Sequence, residues 1–233
     1  MGEKVKMSQK ELRSLVRTLV TRFSFIPLIL GLLVLLPSGT FNFWQVYLYL
    51  GVLVVPMCFV LVYFLRKDPE FLQRRTNKGE KEKEQRFISI LSTVVFLSGF
   101  VIPGLDHRFG WSDVPVYIVL VADTIILLGY ILIILVFKQN SYASNIIEVT
   151  DNQYVISTGL YAVVRHPMYV GVMLMFIPTP LALGSVWGLI PFSFLPLVLA
   201  LRILNEEKIL GKNLKGYTDY CQKTKYRLIP WIW

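Results

Sequence analysis

Residues 115–137 read PVYIVLVADTIILLGYILIILVF, an apolar run interrupted by a single carboxylate, Asp123. A stretch of that length and character fits the ~20 residues a helix needs to cross a hydrocarbon layer about 30 Å thick. The same character returns along the chain, giving apolar spans at 23–37, 44–65, 87–103, 115–137, 168–183 and 186–201. Of the 233 residues 55% are hydrophobic, and the mean hydropathy is +0.57. The short alternating segments of a β-barrel do not occur. The expected fold is an all-α, polytopic integral membrane protein of about six transmembrane helices. It is read as one membrane domain over 1–233, with 1–137 supplying N-terminal helices and 138–233 carrying the polar motifs.

A net charge of +9 raises the question of nucleic acid, and the placement of the charge argues against it. With six spans, all but one of the 24 Lys and Arg residues fall on one side, the exception being Arg108. The positive-inside rule then puts both termini in the cytoplasm, and the basic excess faces anionic lipid headgroups. The first apolar stretch begins near Phe23, after a basic arm and with no small-residue cleavage site behind it, and reads as a signal anchor. Cys58 and Cys221 have no paired spacing, so neither a disulfide nor a zinc site is implied.

Local signals punctuate the spans. Ser8-Gln9-Lys10-Glu11 fits a capping box, followed by Leu12, Leu15, Val16, Leu19 and Val20 at helical spacing. The arm is either an amphipathic helix on the membrane surface or a plain extension of the first span. Asp68-Pro69-Glu70 predicts a helix start in the 66–86 loop, and the mixed charges from Lys78 to Glu84 read as a solvated face. Gly104 to Pro115 reads as a short loop rich in turn residues and aromatics, in which His107 is structural. Asp123 is expected to pair with Arg108 or, alternatively, to face a polar cavity.

The chemistry concentrates in two places. Residues 159–171, Gly-Leu-Tyr-Ala-Val-Val-Arg-His-Pro-Met-Tyr-Val-Gly, set Tyr161, Arg165, His166 and Tyr169 at the entrance of an apolar span. Ionisable groups at that depth are costly unless they line a cavity or hold a ligand. Pro167 fixes the backbone where a helix should begin. Arg202, Glu206 and Glu207 lie at the end of the following stretch, with a tight hairpin around Pro178, Pro180 and Gly184 between the two groups. Arg202 and Glu206, four apart, share a helical face and either pair or contact one ligand together. No HExxH, GxSxG, P-loop or GxGxxG pattern occurs, and the residues hold no metal-ligand spacing.

The block from Val155 to Gly171, the run Arg202-Ile-Leu-Asn-Glu-Glu-Lys-Ile-Leu, Gly216-Tyr217-Thr-Asp-Tyr220 and the closing Arg227-Leu-Ile-Pro230 together resemble the isoprenylcysteine carboxyl methyltransferase family. That family belongs to a wider group that includes phospholipid N-methyltransferases. The resemblance covers roughly 140–230 and implies S-adenosylmethionine bound in a cytoplasmic-face pocket built by the C-terminal half. It implies cofactor contacts from Gln153, Tyr154, Val155, Ile156, Tyr161, His166, Pro167, Met168, Tyr169 and Glu206. Gln153 and Tyr154 depart from the family's side chains, so only their backbone is implied. Arg202 and Glu207 are implied at the acceptor, with Arg202, Glu206 and Arg165 as the residues nearest the chemistry and the Tyr217 and Tyr220 tail as a lid. The implied acceptor is a lipophilic molecule carrying a carboxylate, which needs no general base. A phospholipid or other amine is the alternative and would require a base, for which Glu207 is the first candidate. A nicotinamide-dependent reductase like the carboxy-terminal part of sterol reductases, and a non-enzymatic transporter or scaffold, are the remaining readings.

Overall fold

The computed structural model describes residues 8–76, 83–140 and 153–233. Most of the Lys78–Glu84 run, the beginning of the N-terminal arm and positions 141–152 lie outside the described residues. Among those described, the secondary structure is entirely helical: α1 Gln9–Ser38, α2 Trp44–Lys67, α3 Pro69–Thr76, α4 Lys83–Phe109, α5 Val116–Gln139, α6 Leu160–Val163, α7 Pro167–Phe176, α8 Thr179–Ala182, α9 Leu189–Phe192, α10 Leu195–Asn213 and α11 Tyr217–Lys223. Five helical stretches are long and apolar enough to cross a membrane: Gln9–Ser38, Trp44–Lys67, Arg86–Phe109, Val116–Gln139 and Leu189–Asn213. The protein is a polytopic helical membrane protein, as its apolar runs predict.

The sixth apolar run takes a different form. Pro167–Ala182 is a shorter apolar stretch, interrupted at Ile177 and Pro178. At 1.5 Å per residue it reaches about 24 Å, less than a full hydrocarbon core. One other boundary moves. Residues 104–109, expected in a loop, continue α4 until Gly110, whose φ of +65° only glycine adopts readily. Helix α10 runs past the apolar span to Asn213, carrying Arg202 and Glu206 on one helix as their spacing predicts. The Arg202, Glu206 and Glu207 cluster therefore sits inside a helix that emerges from the apolar layer.

The arm and first span form one helix. Ser8 Oγ accepts from the Glu11 N–H at 3.3 Å, and the Ser8 N–H donates to Glu11 Oε2 at 2.8 Å, completing the capping box. Of the two readings of the arm, extension is the one found. Helix α3 begins where the sequence predicts, its Asp68 Oδ1 accepting from the Phe71 N–H at 3.1 Å.

A buried core of Val34, Phe43, Tyr49, Phe100, Ile126, Phe192, Leu195 and Ile203 joins α1, α2, α4, α5, α9 and α10. Phe192 packs edge-on against Phe96 and Phe100, at centroid distances of 5.8 and 6.0 Å. Leu28, Phe59, Val94, Leu128 and Leu197 point outward, as helices solvated by lipid require. At one end of the bundle Asp106 ties three segments together. Its carboxylate accepts from the Ser112 N–H and hydroxyl, both at 2.7 Å, and from the Ser185 hydroxyl. Ser185 Oγ in turn accepts from the Gly188 N–H at 3.1 Å. His107 stacks on Phe43 at 3.8 Å, a packing role.

The expected Asp123–Arg108 pair does not form. The Arg108 guanidinium lies over Phe109 at the end of α4, whereas Asp123 is two turns inside α5, about 10 Å deeper at helical rise. Asp123 is buried, with neither carboxylate oxygen hydrogen-bonded among the described residues.

Helices α5 and α7 touch backbone to backbone. A Cβ on Gly129 would stand 2.8 Å from the Gly171 carbonyl oxygen, and one on Gly171 would stand 2.6 Å from Ile133 Cγ1. Gly171 closes the Arg-His-Pro-x-Tyr-x-Gly run, so the motif's glycine sets how closely its own helix approaches α5. Gly171→Leu should therefore destabilise the fold by about 1–3 kcal/mol through overpacking. Gly51→Ala, at a site where nothing lies within 4 Å of the new methyl, should not lower the melting temperature in detergent.

Candidate functional site

The end of α5, the turn before α7, the polar length of α10 and the C-terminal segment converge at the bundle end opposite Asp106. The turn is held first by α5. The side chain of Gln139 donates to the Thr158 carbonyl and accepts from the Leu160 N–H at 3.2 Å. Gly159 turns the chain there with φ +56°, its α-carbon facing Gln139 so closely that no side chain fits. Asn140 Nδ2 donates to the Tyr161 hydroxyl at 2.8 Å, and Tyr220 donates its own hydroxyl to the Tyr161 carbonyl at 2.7 Å.

Two neighbouring carboxylates then receive opposite treatment. Glu207 accepts from Arg165 Nη1 at 3.0 Å, His166 Nε2 at 3.2 Å and Arg227 Nε at 2.8 Å. The backbone repeats the connection: the Arg165 N–H donates to the Tyr226 carbonyl at 2.9 Å and the His166 N–H to the Arg227 carbonyl at 3.0 Å. Glu207 thus fastens the C-terminal segment to the start of α7. Glu206 accepts one hydrogen bond, from the Tyr169 hydroxyl at 2.7 Å, and has no ion-pair partner within 4.0 Å among the described residues. Arg202 Nε donates to that same hydroxyl at 3.0 Å, so Tyr169 separates the guanidinium from the carboxylate and bridges them.

The phenols of this region stay neutral. Burial pushes Tyr161 up to about 12, opposed by the Asn140 hydrogen bond and reinforced by the charge of Glu206. Tyr217 and Tyr220 are raised as well, again chiefly by burial, with Glu207 the next contributor at Tyr217.

The expected residues divide as follows. Tyr161, Arg165, His166, Tyr169, Arg202, Glu206 and Glu207 come together, and Pro167 is buried as the first residue of α7. Val155 packs with Tyr161 against Leu214, Tyr217 and Tyr220. Ile156 and Gln153 are half-buried nearby in sequence, Tyr154 is exposed, and Met168 packs on the apolar core rather than on this cluster. Three participants had no assigned role in the sequence reading: Asn140, Arg227 and Asn205. Asn140 follows the last apolar turn of α5, and Asn205 lies three residues from Arg202, buried in α10. Among the described residues Asn205 Nδ2, the Tyr217 hydroxyl and Arg165 Nε are buried with no hydrogen-bond partner. Buried orphan donors of this kind call for an acceptor.

The fold and site together define a multi-pass helical membrane protein with a charged cluster at one end of its bundle. Residues 117–215 match the family model described as phospholipid methyltransferase. The match runs from α5 through α10, so it takes in Tyr161, His166, Tyr169, Arg202, Glu206 and Glu207 while leaving out α1 to α4 and the segment that carries Arg227. The chain is also similar to the mouse Delta(14)-sterol reductase TM7SF2, 30% identical over 88 residues, which are 36% of this chain and 21% of that protein. The chain thus spans about a fifth of that relative's length.

Loss of the Glu207 charge should release the C-terminal segment. Glu207→Gln is expected to cost about 3 kcal/mol, as when one partner is removed from a buried ionic network, and to speed proteolysis after Thr224. Glu206→Gln, which keeps an acceptor for Tyr169, should leave both the melting temperature and the cleavage rate unchanged.

Proposed function

We propose that this protein is an integral-membrane methyltransferase that takes its methyl group from S-adenosylmethionine and delivers it to a lipophilic acceptor drawn from the bilayer. The observation that carries the reading is the asymmetry between Glu206 and Glu207. One carboxylate is held by two guanidinium groups and an imidazole; the other meets one hydroxyl, and among the described residues Asn205 Nδ2 and Tyr217 Oη are buried without a hydrogen-bond partner. A half-buried carboxylate of this kind favours positive charge nearby, and the orphan donors want carboxylate or hydroxyl oxygens. Those are the groups of a zwitterionic sulfonium cofactor, so the residues fit it. The match to the phospholipid methyltransferase family model supports the same reading.

In this reading Tyr161, His166, Tyr169 and Glu206 hold the cofactor, with Val155 and Ile156 beside the adenosine and the backbone of Gln153 and Tyr154 at its edge. When bound, the cofactor supplies an activated methyl on a cationic sulfur with its own leaving group. The protein's part is positioning and the exclusion of water. Tyr169 fixes Arg202 through its Nε, which aims the guanidinium at the acceptor. Arg165 acts through Glu207, as a positioning residue.

A carboxylate acceptor fits Arg202, whose planar fork matches two oxygens, and needs no base. The family match favours a phospholipid amine instead. In that case Glu207, engaged by Arg165, Arg227 and His166, is poorly placed to take a proton, and Glu206 is the carboxylate open to an ammonium group. The excess of basic residues flanking one side of the spans supports a cytoplasmic position for both termini and the site.

Purified protein in detergent should bind S-adenosylhomocysteine, and Glu206→Ala should weaken it at least about tenfold, as loss of a charged hydrogen bond does. Arg202→Ala should leave that affinity intact and depress turnover. Radiolabelled methyl transfer into a membrane lipid extract then identifies the acceptor: base-labile label indicates an ester and base-stable label an amine. Binding of NADPH in place of S-adenosylhomocysteine would overturn the proposal in favour of a reductase.

A further inference from the structure

The loop at residues 229–233 lies beyond the region matched by the family model, and neither the bundle nor the charged cluster uses the side chains it exposes. Leu228 fixes its start in the main core, at 5% exposure, and Trp233 packs against that same core. Between them the chain closes on itself: the Ile232 and Trp233 N–H groups donate to the Ile229 carbonyl at 3.2 and 3.1 Å. Trp231, near the tip, is 86% exposed, and Ile232 is 77% exposed. Trp231 also holds φ at +64°, the one positive value outside glycine among the described residues. A left-handed backbone is unfavourable for a bulky side chain. Within the protein its ring meets Tyr226, tilted and 6.2 Å away. A strained, outward-facing indole with so little internal packing points to something outside the chain.

The position of the loop in the bundle says what that is. Trp44, Trp111 and Trp187 are exposed, and all three lie at the Asp106 end. Trp44 follows the Phe43 that stacks on His107; Ser112, beside Trp111, accepts from the N–H of Val186, beside Trp187. These three indoles form one aromatic belt. From there the 24 residues of α5 rise about 36 Å, slightly more than a hydrocarbon core about 30 Å thick. At the far level Gln139 holds the Leu160 turn. The Tyr226 and Arg227 carbonyls accept from the Arg165 and His166 N–H groups there, immediately before α7 enters the apolar layer. Trp231 therefore stands at the opposite boundary of the bilayer from the other belt. Lys223 and Lys225, exposed just before the loop, add the positive charge that a phosphate-rich surface favours.

We propose that Trp231 and Ile232 form a wedge seated in the interfacial layer of the phospholipid bilayer, so that lipid holds down the segment carrying Arg227. An indole suits that layer, since its ring is apolar while its N–H reaches water or ester oxygens. Ile229, 40% exposed, adds apolar area on the same loop. The link to the charged cluster is short. Arg227, two residues before the loop, donates from Nε to Glu207 at 2.8 Å, and its carbonyl pairs with the turn before α7. The wedge thus secures from the membrane side the same segment that Glu207 secures from within. This rests on the membrane fold and not on the methyltransferase reading, and neither measurement below involves a cofactor or turnover.

The test incorporates fluorotryptophan into the full chain and reconstitutes it in nanodiscs of mixed phosphatidylcholine and phosphatidylglycerol. Trp231→Phe assigns the Trp231 fluorine resonance. Lipid bearing a nitroxide on its upper acyl chain should broaden that signal more than a soluble gadolinium chelate does. Stronger broadening by the chelate would place the indole in water and overturn the wedge. Broadening by neither reagent would overturn it as well, because another stretch of chain then covers the ring. Trp231→Gly separates lipid contact from backbone strain, since it relaxes the left-handed turn while deleting the indole. A segment held by lipid should then be cleaved faster by protease after Thr224 in nanodiscs. Cleavage that is unchanged or slower means a loop held by its own bonds alone, and the proposal falls. An unaltered melting temperature for Trp231→Gly shows that any faster cleavage is local.

Discussion

A single carboxylate holds the working end of this molecule together. Glu207 projects from α10 where that helix leaves the apolar layer, and it gathers Arg165, His166 and Arg227 from two other stretches of chain. An isolated charge this poorly exposed would be expensive; surrounded by three donors its cost is offset, and the donors in turn are fixed in direction. Arg227 is further stacked over Trp233 at 5.2 Å, and the Trp233 carbonyl accepts from the N–H groups of Arg227, Leu228 and Ile229. The last residues are thereby folded back over the start of α7. The Tyr220 hydroxyl, bonded to the Tyr161 carbonyl, ties α11 to the same turn.

The neighbouring Glu206 depends on this arrangement. Because Glu207 consumes the nearby cations, Glu206 is left to interact with Tyr169 and, through its hydroxyl, with Arg202. Adjacent positions on a helix point about 100° apart, so one can serve the scaffold while the other serves a ligand. The close approach of α5 and α7 at Gly129 and Gly171 keeps Tyr169 at the depth where this division works.

Much of the architecture was written locally in the chain. Apolar runs locate the spans because lipid demands them, and the caps at Ser8 and Asp68 and the proline at 167 mark helix starts by chemistry confined to three or four residues. The convergence of the Arg-His-Pro turn with the Glu-Glu pair was also readable, since a short hairpin leaves few alternatives. What escaped the sequence depends on depth and distant packing. The Asp123–Arg108 pairing failed because a few residues of helical rise separate groups that look close in a linear chain. Asn140 and Asn205 look like ordinary polar positions until the helices around them are placed. The end of α4 moved because a helix does not have to stop where its hydrophobicity does.

The knot at Asp106 has a consequence for how anything reaches the charged end. It ties the close of α4, the following turn and the α8–α9 corner with hydrogen bonds in a buried setting, where they are hard to exchange for water. Helices stapled at one extremity can splay only at the other, like the blades of a fan. Any opening between these helices is therefore expected at the charged end rather than at the Asp106 end.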